Sequence, residues 1–106
     1  MVEVKWTDQS LEDINNIAEY IAADSEKFAS IQVQKFFERV EVLHQYPKIG
    51  KVVPEITREN IRELISGNYR IIYKIISKSR IDILTVHHAA RLLRNSPVFK
   101  KNIKPK

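Results

Sequence analysis

The chain has no cysteine, which removes both a disulfide framework and a thiolate metal site, so packing alone must hold the fold. It has only two glycines, Gly50 and Gly67. They cannot supply a P-loop or a G-x-G-x-x-G dinucleotide fingerprint, and no G-x-S-x-G elbow of a serine hydrolase is present. No cofactor is expected. No apolar run approaches the roughly 18 residues of a membrane span. The opening stretch MVEVKWTD also lacks the basic-then-apolar layout of a signal peptide. A cytoplasmic protein without a membrane partner is expected.

What is present fits one domain, since 106 residues suffice for a single core and not for two. The expected division is a domain over 1–93 and a basic C-terminal tail over 94–106. The formal charge of +5 hides an asymmetry: residues 1–46 carry four Lys or Arg against nine Asp or Glu, a balance of −5, and the other sixty carry fourteen against four, a balance of +10. A cationic second half favours an anionic partner, either nucleic acid or an acidic protein segment.

VEVKW alternates Val2, Val4 and Trp6 with Glu3 and Lys5, the period of a half-buried strand. Thr7 can cap a helix that carries Asp8 and Glu12 near its positive end and Leu11, Ile14, Ile17, Ala18 and Ile21 on its apolar face. The pattern restarts at Asp24-Ser25. Ala29, Val33, Phe36, Val40 and Leu43 then form a stripe predicting a second helix of about five turns, stopped by Pro47 and Gly50. The two helices are expected to form an antiparallel hairpin. Three strand-like runs follow, IRELI, YRIIYKII and IDILTVHH, separated by Ser66-Gly67-Asn68 and by Ser77-Lys78-Ser79-Arg80. The fold class is therefore α+β: an N-terminal strand, a helix hairpin and an antiparallel β-meander, with the helices on one sheet face and the other face open.

Alternate strand residues share a face. Tyr69, Ile71, Tyr73 and Ile75 form the better core set, which sends Arg70, Ile72 and Lys74 to the open face, with Arg62 and Leu64 from the preceding strand. On the same parity His88 joins that face with Val86 and Leu84 while His87 points to the helices, although a one-residue bulge would exchange the histidines.

Adjacent strand residues point to opposite faces, so His87 and His88 are not expected to hold a metal. A cationic face with Arg62, Arg70 and Lys74, bordered by Lys51, Glu55, His88 and Arg91, could bind an anionic target. It could also cut a phosphodiester without metal. Such cleavage needs a base, a cation for charge growing on phosphoryl oxygens and an acid for the leaving oxygen. Glu55, Arg70 and His88 could fill those roles in that order. The plainer readings are an ion-paired Glu55, a surface Arg70 and a buried, hydrogen-bonded His88.

YPKIGKVVPE after the second helix, IRELISGNYRIIYKI in the central hairpin and ILTVHHAARLL at the end resemble the RelE/ParE superfamily of toxins from bacterial type II toxin–antitoxin systems, over nearly the whole chain. The resemblance implies a helix hairpin on a curved antiparallel sheet and a cognate antitoxin that wraps the toxin. Operator DNA would be met only through that antitoxin. RelE-like members cut mRNA on the ribosome, and ParE-like members inhibit DNA gyrase. Glu55, Arg70 and His88 fall where one RNase branch has a glutamate, an arginine and a histidine, but Ala89 stands where that branch has a tyrosine. That departure favours the ParE-like branch, with Lys51, Arg62, Arg70, Lys74 and Arg91 as residues contacting target or antitoxin. The alternatives are the ribosome-dependent endoribonuclease and a non-toxic basic binding module.

Overall fold

The computed structural model describes residues 1–90; Arg91 and the basic tail 94–106 lie outside them. The chain runs β1 (Glu3–Trp6), α1 (Asp8–Ala22), α2 (Glu26–Arg39), a 3₁₀ turn (Val40–His44), β2 (Lys51–Val52), β3 (Ile61–Ser66), β4 (Tyr69–Ser77) and β5 (Arg80–His88). One five-stranded sheet has the order β1-β5-β4-β3-β2. The three long strands form the meander, and β1 joins β5 in parallel. β2, only two residues long, escaped the sequence reading because so short a strand has no periodicity to show. No helix among the described residues is long and apolar enough to cross a membrane.

Both helix starts are capped, the first by Thr7 as its sequence predicts and the second by Ser25, where the apolar pattern restarts. Thr7 accepts a bond from the Ser10 amide at 3.2 Å and donates its hydroxyl to the Ile83 carbonyl at 2.7 Å, so the cap also fastens α1 to β5. Ser25 accepts from the Phe28 amide at 3.2 Å. The expected five-turn second helix is shorter: α2 ends at Arg39, and Val40–His44 tighten into a 3₁₀ turn. Val40 and Leu43 remain buried, which is why the apolar stripe runs on past the end of the α-helix. His44 fastens this turn to the start of the chain, accepting from the Val2 amide at 3.0 Å and pairing Nδ1 with the Val2 carbonyl at 2.7 Å.

The main core lies between the helices and the sheet, around Phe36, Leu43, Ile71, Tyr73, Ile81 and Ile83. A second apolar cluster occupies the opposite face, where Val53, Ile61 and Ile72 are buried with Ile56 and Leu84 against them. The face expected to be open is thus partly covered by the loop 53–60. Burying Val or Ile contributes about 1.5–3 kcal/mol per side chain, so Val53 and Ile56 have reason to lie down on Ile72. Within this loop Thr57 has φ 56°, a left-handed conformation unfavourable for a β-branched residue.

Gly50 owes its identity to close approach. A Cβ there would lie 2.6 Å from both the Glu63 carbonyl oxygen and the Tyr73 hydroxyl. Tyr73 itself is buried, accepts from the Gly50 amide at 2.9 Å and donates to the Pro47 carbonyl at 2.8 Å. The segment entering β2 is therefore pinned to the central strand, and burial holds the Tyr73 hydroxyl above its ordinary pKa.

Candidate functional site

The β3–β4 hairpin decides what Arg70 meets. Its tight turn, with Gly67 at φ +58°, pairs Ser66 with Tyr69, and this sets Ile65 opposite Arg70 and Glu63 opposite Ile72. Glu63 is then the diagonal neighbour of Arg70 on the same face. Both are almost wholly buried. The Arg70 Nε donates to Glu63 at 2.5 Å, and its two terminal nitrogens donate to the two oxygens of Glu55 at 2.7 and 2.9 Å. Lys51 on β2 completes the row, its Nζ 3.7 Å from the second oxygen of Glu63.

These groups form an alternating chain of Lys51, Glu63, Arg70 and Glu55. Hydrogen bonding to Arg70 holds the Glu55 carboxyl below its ordinary pKa, with His87 adding to the effect. The bonds from Glu55 and Glu63 in turn hold Arg70 above the usual arginine range. Glu55 sits on the covering loop, so its two-point contact with Arg70 also ties that loop to the sheet.

Arg62 and Leu64 lie on the face opposite to the one expected. Leu64 is in the core beneath the helices, and Arg62 pairs with Tyr73 in register. The Arg62 guanidinium is consumed locally: it donates to the Glu59 carbonyl and carboxylate at 2.9 and 2.8 Å and to the Lys48 and Gly50 carbonyls at 3.2 and 2.8 Å. Arg70, Ile72 and Lys74 do share a face. Lys74 is half-buried there, opposite Asp82 in register.

The histidines are exchanged relative to the parity reading. Ile72 pairs with Thr85 and Tyr73 with Ile83, so Leu84 is an extra residue and the alternation of β5 shifts by one beyond it. His87 consequently lies opposite Arg70 and is buried, whereas His88 lies opposite Tyr69 on the helix side, exposed, with its ring 5.5 Å from that of Tyr69. The His88 Nδ1 accepts from the Ala90 amide at 3.1 Å. The bulge is held from outside the sheet by Asp13 of α1, which accepts from the Thr85 hydroxyl and from the Val86 amide, the latter at 3.1 Å.

Of the sequence-selected set, Glu55, Arg70 and Lys51 come together, joined by Glu63 and His87. His88, Arg62 and Leu64 stand on the other face, and Arg91 is outside the described residues. Glu63 was missed as a site residue although the turn chemistry fixes the register that brings it to Arg70. Among the described residues no group of three or more His, Asp or Glu is placed to hold a metal ion. Chemically, the cluster is a set of satisfied charges: Glu55 has both oxygens engaged and a depressed pKa, which makes it a poor general base.

The order of elements and the sheet can be set beside known proteins. In solved structures the chain is similar to a chain of the chromosomal ParDE TA system from P. aeruginosa, with 24% identity, 83% of this chain and 96% of that one covered, and a TM-score of 0.69. It is also similar to a chain of the toxin-antitoxin complex RelBE2 from Mycobacterium tuberculosis, with 20% identity, coverage of 82% and 96%, and a TM-score of 0.54. These likenesses establish the shared fold. No curated protein sequence matches the chain. The family model described as "ParE toxin of type II toxin-antitoxin system, parDE" matches residues 4–93. With the helix hairpin, the meander and nearly all of the chain accounted for, this protein belongs to the ParE toxin family of type II toxin–antitoxin systems.

Proposed function

We propose that the chain inhibits growth by binding DNA gyrase rather than by cutting RNA, and that a cognate antitoxin neutralises it. The observation that carries this reading is the occupation of Arg70. All three of its donor nitrogens are bonded to Glu55 and Glu63, so the residue best suited to steady a phosphoryl group is engaged as a structural tie. An endoribonuclease using Glu55, Arg70 and His88 would first have to free Arg70 from two carboxylates and bring His88 across the sheet. Family membership supports the antitoxin, as do exposed apolar residues on the helix hairpin: Leu11, Tyr20 and Phe28 are the kind of surface a partner helix covers.

Induced expression separates the two modes. Gyrase binding predicts accumulation of double-strand DNA breaks with ribosome-bound mRNA left intact, and co-expression of an adjacent acidic antitoxin restores growth. Cleavage of mRNA at the ribosome without DNA breaks would refute the gyrase reading.

A further inference from the structure

The loop between β2 and β3 is anchored at its two ends by backbone bonds. At its entry the Val53 amide donates to the Ile61 carbonyl at 3.2 Å, and at its exit the Ile61 amide donates to the Arg58 carbonyl at 3.1 Å. Arg62 holds the exit as well, through the Glu59 carbonyl and carboxylate. Between these anchors the Ile56 and Thr57 amides both donate to the Val53 carbonyl, at 3.1 and 2.8 Å, and no backbone bond among the described residues joins 54–57 to a strand. Side chains alone hold this segment down. Glu55 makes two bonds to Arg70 while its own side chain stays 40% exposed, and Ile56 packs on the cluster of Val53, Ile61 and Ile72. The closed form also carries the left-handed backbone of Thr57.

We propose that residues 54–57 are a strap that lifts off the sheet as a unit while the sheet stays folded, with the Glu55–Arg70 pair as its latch. A segment with few buried apolar contacts and no backbone ties to its surroundings opens at a lower free energy than the strands beneath it. The latch can be broken from outside, because solvent already reaches Glu55. Its strength is set by the charges around it: Arg70 on β4 and His87 on β5 attract Glu55, Glu63 on β3 competes for the same guanidinium, and Lys51 on β2 offsets Glu63. Lifting the strap uncovers Ile61, Ile72 and Leu84, an apolar patch rimmed by Arg70 and Lys74, and leaves Arg70 bonded to Glu63. This face is shut in the resting chain and presented only when the latch opens. The device is independent of the cellular target.

The chain has no cysteine, so a single introduced thiol is a clean reporter: buried, it reacts only when reagent reaches it. Ile72→Cys places the thiol under the strap, and Ile71→Cys places it in the core between helices and sheet. Each full-length variant is incubated with iodoacetamide at neutral pH without denaturant, and alkylation is followed by mass. Chemical denaturation of the same variant gives the rate that global unfolding alone would produce. The Ile72→Cys thiol is expected to react at least about tenfold faster than that rate, and the Ile71→Cys thiol at it. Adding Glu55→Gln should speed the first by about a further tenfold relative to its global rate. Glu59→Gln, which removes the same charge from the same loop but pairs with Arg62, should not. If melts show Ile72→Cys to be unfolded, Ile61→Cys reads the same opening from within the cluster. Reaction under the strap at the global rate means that the loop opens only with the whole fold, and overturns the proposal. So does a rate that Glu55→Gln leaves unchanged, or one that Glu59→Gln raises equally.

Discussion

A buried guanidinium shared by two carboxylates cannot be removed without leaving charge behind. Arg70→Met would strand Glu63, which is only 4% exposed, with Lys51 at 3.7 Å as its remaining counter-ion. Breaking a buried pair by deleting one partner costs about 3–5 kcal/mol, a large part of the roughly 5–15 kcal/mol that holds a domain folded. Chemical denaturation should show that loss, and Arg70→Lys should recover only part of it, since an ammonium cannot reach three bonds in the plane of the guanidinium fork. A variant as stable as the wild type would contradict the structural role. Glu55 makes a prediction with a sign. Its folded pKa lies below its ordinary value of 4.5, so its contribution to stability is complete above the unfolded pKa and is lost as pH falls through the folded one. The melting-temperature gap between wild type and Glu55→Gln should therefore be full at neutral pH and close progressively below about pH 4.5. A gap that stayed constant down to pH 3 would count against the ion pair.

Among the elements, the covering loop 53–60 is the place where structure and sequence pattern part. It is held by Val53 and Ile56 on Ile72 and by Glu55 on Arg70, against the unfavourable backbone of Thr57. A left-handed conformation costs an ordinary residue about 1–2 kcal/mol, and asparagine tolerates it better than a β-branched side chain. Thr57→Asn should accordingly stabilise the chain by roughly 0.5–1 kcal/mol, raising its denaturation midpoint without altering the slope. A destabilised variant would mean that the Thr57 hydroxyl, 2.7 Å from the Ile56 carbonyl, matters more than the dihedral. The helix hairpin and the meander were legible because Thr7, Ser25 and Gly67 mark boundaries by local chemistry and the apolar periods agree with them, whereas Pro47 and Gly50 set the end of the second helix too late, since α2 stops at Arg39. The second face was not legible. Val53 and Ile56 belong to a loop whose burial follows from tertiary contact, and no local pattern announces it. The histidine exchange has a similar origin, since the extra residue Leu84 is fixed by Asp13, some seventy positions earlier in the chain. Parity could say only that a bulge there would exchange the two.

For the molecule as a whole, the uneven charge says that an acidic partner is favoured, and the structure refines which cations are available to it. Arg62 and Arg70 are spent on internal carbonyls and carboxylates, while Lys48 and Lys78 form no ion pair among the described residues. The gyrase proposal rests on this arrangement, in which the guanidinium that could steady a phosphoryl group is engaged by Glu55 and Glu63. Purified gyrase supplies the most direct test of that account, with relaxed plasmid and ATP, titrated with the purified chain and compared with purified ribosomes carrying a defined mRNA under the same conditions. The account predicts loss of supercoiling with cleaved DNA trapped on the enzyme, and intact mRNA at the same concentrations. Unimpaired supercoiling together with mRNA cut on the ribosome would contradict it.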